Sequence, residues 1–267
     1  MTSGILGRDL PTERTNRPKR SIAILDADFG CGDQTWELAR ALEAPTWNEY
    51  RYVGLTRDPA QLEFAQQRQQ REIHVANRHG VQLWPGSFRL FQADASRPES
   101  WGHPVKAMLD VLGDTKFTDK WLLALDCLYR LSSSREAIFR HAAHSMGANF
   151  MGFDLLINEK AAMFSTITTK LLGWCIGIPP RYFIAESRYF EQLVKAGYDK
   201  ESTRIKDVTY DVFPGLVTFL GRQQTQLRPY GLALGDFSVM TFVFGWFANS
   251  STVRAAIVTA KLKDKGA

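Results

Sequence analysis

The feature that most constrains this chain is a recurring unit. A short apolar run, a turn and a helix signal follow one another about every 30 residues over the first 157 positions. The apolar runs are 21–26 (SIAILD), 50–55 (YRYVGL), 88–92 (FRLFQ), 121–125 (WLLAL) and 149–156 (NFMGFDLL). Near-continuous apolar runs of this length suit parallel strands buried on both faces. Between them lie helix signals: 33–43, with Trp36, Ala39 and Leu42 on one face, and a long stretch from Asp58-Pro59 to His79. Ser133 and Glu136 are spaced as a capping box that opens a third helix, running to Met146. Strand and helix in alternation predict an α/β fold, a doubly wound and mostly parallel sheet.

Beyond residue 157 the pattern changes. Residues 160–178 read as an apolar helix ended by Pro179-Pro180, and 187–197 as a short helix. Residues 203–211 and 216–221 read as two antiparallel strands joined at Phe213-Pro214-Gly215, and the last 37 residues as an aromatic-rich helical segment. The expected organisation is a flexible basic arm (1–20), a ligand-binding domain (21–221) carrying an inserted cap (160–186), and a C-terminal helical segment (222–267).

Charge and cysteines limit the partners. The chain has 33 Lys and Arg against 28 Asp and Glu, net +5, and five of the 33 lie in the first 20 residues. The remainder is nearly balanced, so a solvated tail is expected and a nucleic-acid partner is not. Cys31, Cys127 and Cys175 are odd in number and form no CxxC pair. With no apolar leader in residues 1–20, a reducing, cytoplasmic setting is expected. Phe237, Phe242, Phe244, Trp246 and Phe247 precede Arg254, Lys261, Lys263 and Lys265. That segment (237–265) reads either as a packed helix with a solvated basic end or as a peripheral membrane contact.

In open α/β sheets the ligand sits at the carboxyl ends of the strands, so the turn after the first run carries most of the chemistry. It reads Asp26-Ala27-Asp28-Phe29-Gly30-Cys31-Gly32-Asp33. Gly30 and Gly32 allow a close backbone approach. The dinucleotide fingerprint fails because residue 35 is Thr, and there is no GK[ST] phosphate loop. The acids would repel a pyrophosphate and suit a cationic ligand rich in hydroxyls and amines. His141 and His144 stand three apart with no further ligand cluster, so no metal is expected.

ILDADFGCGDQT resembles motif I (D-x-G-x-G-x-G) of the class I S-adenosylmethionine (SAM)-dependent methyltransferases, with Asp28 in place of the first glycine. YVGLTRDPAQLEFA resembles the second-strand region of the sterol, tocopherol and cyclopropane-fatty-acid branch. Ala93-Asp94-Ala95 resembles the turn after strand three. LLALDCLYRLSSSREAIFRHAA resembles the strand-four motif and its helix, with Arg130 where many relatives carry His. YFEQLVKAGYDKESTRIKDVT resembles the helix and strand six. The wording GCGDQT and LALDCLY is similar to fungal small-molecule methyltransferases.

The resemblance spans residues 21–221 and implies a seven-stranded Rossmann-like methyltransferase fold with SAM as cofactor. It implies cofactor contacts from Asp26, Asp28, Gly30, Gly32, Asp33, Thr56, Gln61, Asp94, Ala95 and Asp126. Cys127, Tyr129, Arg130, Phe164, Trp174, Tyr182 and Phe183 are candidate liners of the acceptor site, and Tyr129, Glu159 and Tyr182 are candidate catalytic groups. The implied activity is methylation of a small, fairly apolar metabolite in natural-product biosynthesis. The alternatives are non-methylating chemistry on the same fold, and a membrane- or partner-binding module.

Overall fold

The computed structural model describes residues 20–42, 47, 49–78, 87–131, 134–175, 177–232, 235 and 237–263. Its centre is a seven-stranded sheet: β1 (Ser21–Ala27), β2 (Glu49–Thr56), β3 (Phe88–Gln92), β4 (Asp119–Leu125), β5 (Asn149–Ile157), β6 (Arg204–Asp207) and β7 (Val253–Ala260). The strand order is β3-β2-β1-β4-β5-β7-β6. Strands β1 to β5 pair in parallel, and β7 runs antiparallel between β5 and β6. The five apolar runs of the first 157 residues are thus the five parallel strands. Every residue of β1 is buried, as a central strand covered on both faces requires, Ser21 and Asp26 included.

Helices cover the sheet: α1 (Asp33–Leu42), α2 (Pro59–Arg78), α3 (His103–Gly113), α4 (Arg135–His141), α5 (Met163–Cys175), α6 (Glu186–Lys195), α7 (Thr209–Leu227) and α8 (Phe237–Ser250). Helix α1 turns Trp36, Ala39 and Leu42 into the core beside Tyr50, Tyr52 and Phe88. Ser133 lies outside the described residues. Ser134 is the N-cap of α4, its hydroxyl accepting from the Glu136 amide at 3.1 Å. The helix continues through a π-helical turn, Ala142–Met146, and stops at Gly147, which has φ +66°. At the core of the α4 side, Arg135 donates to Asp154 on β5 at 2.7 Å with both side chains fully covered.

Two expectations are corrected. Residues 216–221 form no strand: they lie inside α7, and the second-half strand reading reduces to Arg204–Asp207. Pro214 sits within that helix, where its missing N–H costs one backbone bond, and the Thr218 hydroxyl donates to the Pro214 carbonyl at 2.8 Å. The C-terminal segment is not wholly helical either. After α8 it supplies β7, whose residues 253, 255, 256, 258 and 260 are buried in the sheet.

This topology builds the cap from two separate stretches. Helices α5 and α7 leave the carboxyl ends of β5 and β6, and α8 leads into β7, which starts at the same edge because it runs antiparallel. A cluster of Tyr129, Ile178, Tyr182, Phe183, Val208, Phe213, Val243 and Phe247 fills the space beneath the three helices.

Candidate functional site

The order of the sheet reverses between β1 and β4, and there a cleft opens at their carboxyl ends, as expected for open α/β sheets. It is lined by Asp26, Asp28, Phe29, Gly30, Cys31, Asp33, Gln34, Gln61, Leu125, Asp126, Cys127 and Arg130. The turn after β1 is locked from both sides. The Phe29 amide donates to the Leu55 carbonyl at 3.2 Å, and the Cys127 thiol donates to the Ala27 carbonyl at 3.0 Å.

Asp26 is the deepest group. Its side chain is buried, Oδ2 accepts from the Tyr52 hydroxyl at 2.7 Å, and Thr35 Oγ1 lies 2.9 Å from the same hydroxyl. Oδ1 is buried with no hydrogen-bond partner among the described residues. Burial pushes the carboxyl up to about 7, with the Asp28 charge adding to the rise and the Tyr52 hydrogen bond opposing it. A buried carboxylate oxygen left unpaired is costly unless a ligand donor meets it.

Both glycines of the turn take a backbone that favours glycine. Gly30 (φ +61°) and Gly32 (φ +80°) both need the left-handed region, and a Cβ on Gly30 would project into open space at the cleft. Asp28 has φ +115°, and Asp126, after β4, has φ +59°. Non-glycine residues held there store strain, a frequent mark of functional positions. Asp28 thus occupies a glycine-type backbone, which is why its position resembles a glycine site. Burial raises both carboxyls, opposed chiefly by a Thr56 hydrogen bond at Asp28 and by the Tyr129 hydroxyl at Asp126. The Tyr129 hydroxyl donates to Asp126 Oδ1 at 2.6 Å. Burial raises that phenol well above its ordinary value, so it keeps its proton and serves as a donor.

Four carboxylates face this cleft against one lining cation, Arg130. Asp33 begins α1 and pairs with Arg68. Such a field favours a ligand with positive charge over a pyrophosphate.

The remaining expected residues fall into four groups. Gln61 lines the cleft and accepts from the buried Thr56 hydroxyl at 2.9 Å. Asp94 and Ala95 stand after β3, outside the lining, where Asp94 Oδ1 accepts from the Ser96 amide at 2.9 Å and its hydroxyl at 2.6 Å. The cap candidates do not reach the cleft at all. Tyr182 and Phe183 are buried in the cap core, and Phe164 and Trp174 point outward, 78% and 68% exposed. Glu159 is exposed and accepts from the Ser187 hydroxyl. Of the acceptor candidates, Cys127 and Arg130 line the cleft and Tyr129 supports it from below.

Sequence reasoning missed Tyr52 and Thr35, which hold Asp26, and Gln34, which lines the cleft. The available signal was a tyrosine inside a largely buried strand, whose hydroxyl must find a partner. Among the described residues no group of His, Cys, Asp and Glu is placed to hold a metal ion.

No family model matches the sequence, and no curated protein matches it. Solved structures do. Phosphoethanolamine N-methyltransferase 2 from Haemonchus contortus, in complex with S-adenosylhomocysteine (SAH), matches with TM-score 0.62 at 13% identity over 94% of this chain. This chain spans about half, 51%, of that protein's length. A mycolic acid cyclopropane synthase complexed with SAH matches with TM-score 0.57 at 15% identity, covering 91% of this chain and 78% of that one. The [4+2]-cyclase SpnF matches with TM-score 0.56 at 14% identity, covering 92% and 76%. The fold is that of the class I SAM-dependent methyltransferases.

Proposed function

We propose that the chain is a SAM-dependent methyltransferase acting on a small, fairly apolar metabolite, in a natural-product setting. The observation that carries this reading is Asp26 Oδ1: a buried, unpartnered carboxylate oxygen in a glycine-lined, acid-rich cleft at the sheet's reversal point. It fits an ammonium group. The structural neighbours named with SAH or a methyltransferase activity support the same cofactor. Asp26 and Asp33 would hold the amino-acid end, Gly30 and Gly32 would admit it against the backbone, and Gln61 with Thr56 would meet the ribose. When bound, SAM supplies a methyl group already activated on a sulfonium.

The chain's own task is then alignment and proton handling. Asp126 stands at the carboxyl end of β4, lifted by burial and held by Tyr129, so it is the group suited to take a proton from an acceptor. Cys127 and Arg130 flank it on the cleft wall. The thiol, pushed well above its ordinary value by burial, acts as a neutral donor and not as a nucleophile.

A second reading is favoured by Asp28 and by the cyclase neighbour: the same fold binding SAM without methylating. Calorimetric titration with SAM and SAH tests the shared part, and SAH release with terpenoid, phenolic and amine acceptors separates the two. Micromolar binding with SAH release supports methyl transfer. Binding without release from any acceptor supports the second reading. Absence of binding refutes both.

A further inference from the structure

Helix α5 is built inside out. Its buried side is made of small residues, Thr169 and Gly173. Thr169 Oγ1 accepts from the Trp246 indole of α8 at 3.1 Å, and a Cβ on Gly173 would stand 2.2 Å from the Phe183 ring. Its outer side carries Phe164, Ile167, Leu171 and Trp174, all more than half exposed. The 3-4-3 spacing places these four on one stripe. The other cap helices add exposed Phe219 on α7 and Phe242 on α8. A soluble surface helix has the reverse arrangement, so this face has a partner that is not water.

Charge identifies the partner. Residues 160–185 and 212–235 contain no Asp or Glu, and neither does 237–263. Lys160, Arg181, Arg222 and Arg228 are exposed around the apolar face, and Lys170 is half-buried within it. A second copy of the chain would set these cations against one another, and acids such as Asp211 in the first turn of α7 and Glu159 beside Lys160 stand at the ends of these segments. An anionic bilayer surface answers them all while taking the apolar stripe into its acyl boundary. Among the described residues no helix is long and apolar enough to cross a membrane.

We infer that the cap, led by the outer stripe of α5, is a peripheral docking surface for anionic lipid bilayers. This relocates membrane contact from residues 237–265 as a whole to the cap helices, since much of 253–260 is buried in the sheet. Because α5, α7 and α8 all lie at the carboxyl edge of the sheet, docking sets the cleft beside the bilayer, a route for an apolar acceptor.

The test is flotation of the full chain with vesicles of phosphatidylcholine alone and of phosphatidylcholine with phosphatidylserine. The wild type should float with the anionic vesicles, less so in high salt, and weakly with the neutral ones. The double variant Phe164→Glu, Trp174→Glu should lose about tenfold or more of this partition, with its melting temperature and SAM affinity unchanged because both side chains are exposed. Failure of the SAM titration would strike the proposed function and leave this result standing. Equal flotation of wild type and variant overturns the proposal. So does a wild type that ignores vesicles and forms a dimer that the double variant dissociates.

Discussion

The sharpest consequence of the site is a proton linked to cofactor binding. Asp26 is raised from its ordinary 3.8 to about 7 by burial, so near neutral pH it is poised between neutral and charged. An ammonium against Oδ1 favours the ionised form, so binding below about pH 7 must expel a proton. The affinity loss is the factor 1 + 10^(pKa − pH), which is roughly elevenfold at about pH 6, twofold at about pH 7 and negligible at about pH 8. Between about pH 6 and pH 8 the binding free energy should therefore strengthen by about 1.4 kcal/mol. Calorimetry in two buffers of different ionisation enthalpy reads both the affinity and the proton released. At the lower pH close to one proton should appear per SAM bound, and at the higher pH almost none. Asp26→Asn imitates the protonated carboxyl, so it should bind at least about a hundredfold more weakly at about pH 8 and show a flat profile. For folding the sign is opposite. A carboxyl whose folded value lies above its unfolded one contributes most at low pH, and loses that contribution as pH rises from about 4 through about 7. Relative to Asp26→Asn, the ligand-free wild type should lose stability over that window. A wild-type affinity that is level across the range, or an Asn variant that keeps the slope, would refute the assignment of Asp26 as the ammonium site.

Three further substitutions follow from the same geometry. Asp28→Gly removes a side chain from a φ of +115°, relieving roughly 1–3 kcal/mol of strain against roughly 0.5–1 kcal/mol of added chain entropy; urea titration should show unchanged or higher stability, and a clear loss would place Asp28 in a stabilising role. Gly30→Val forces a β-branched residue to φ +61° and pushes methyls into the cleft, so SAM binding should disappear while circular dichroism still reports a folded sheet. Arg135→Ala leaves Asp154 buried without its 2.7 Å partner and should cost about 3–5 kcal/mol in urea unfolding; a cost under about 1 kcal/mol would mean that Asp154 finds water or a proton cheaply.

The parts that were legible and the parts that were not divide on locality. Strands β1 to β5 could be read because each is a local, largely apolar run, and the turn that follows it carries its chemistry in adjacent residues. Asp26, Gly30 and Gly32 needed no knowledge of anything far away. Gln61 lies in the first turn of α2, just after β2, and Arg130 in the short helical turn after β4, positions that any such sheet brings to the same edge. Tyr52 escaped because its role depends on register: it pairs with Ile24, which places its hydroxyl under Asp26, and register is a property of two strands. Residues 253–260 escaped for a related reason. AAIVTA is almost wholly apolar, so it has no clear period to separate strand from buried helix, and its place between β5 and β6 decides the matter. Residues 216–221 were misread in the other direction, since Pro214-Gly215 imitates a turn while α7 carries straight through it.

The cap shows why the error mattered for function. With residues 216–221 as a strand, the cap is the 160–186 insertion alone, and its aromatic residues must look inward to have any role. Once β7 is placed antiparallel in the sheet, α8 is brought to the carboxyl edge and supplies Val243, Phe244 and Phe247 beneath α5 and α7. The interior is then filled by Phe183, Phe213 and Phe247, whose rings lie 5.7–6.2 Å from their neighbours in that cluster. No room is left inside for Phe164 and Trp174, and Gly173 closes α5 against Phe183. The outward aromatic stripe is thus a consequence of the topology: a cap already filled from the C-terminal side must turn its remaining large apolar residues out. A Gly173→Leu variant checks this step directly. It should prise α5 from the cap and lower the cooperativity of unfolding, while SAM binding at the β1–β4 cleft, which shares no lining residue with α5, persists. Loss of SAM binding in that variant would mean that the cap and the cleft fold as one unit.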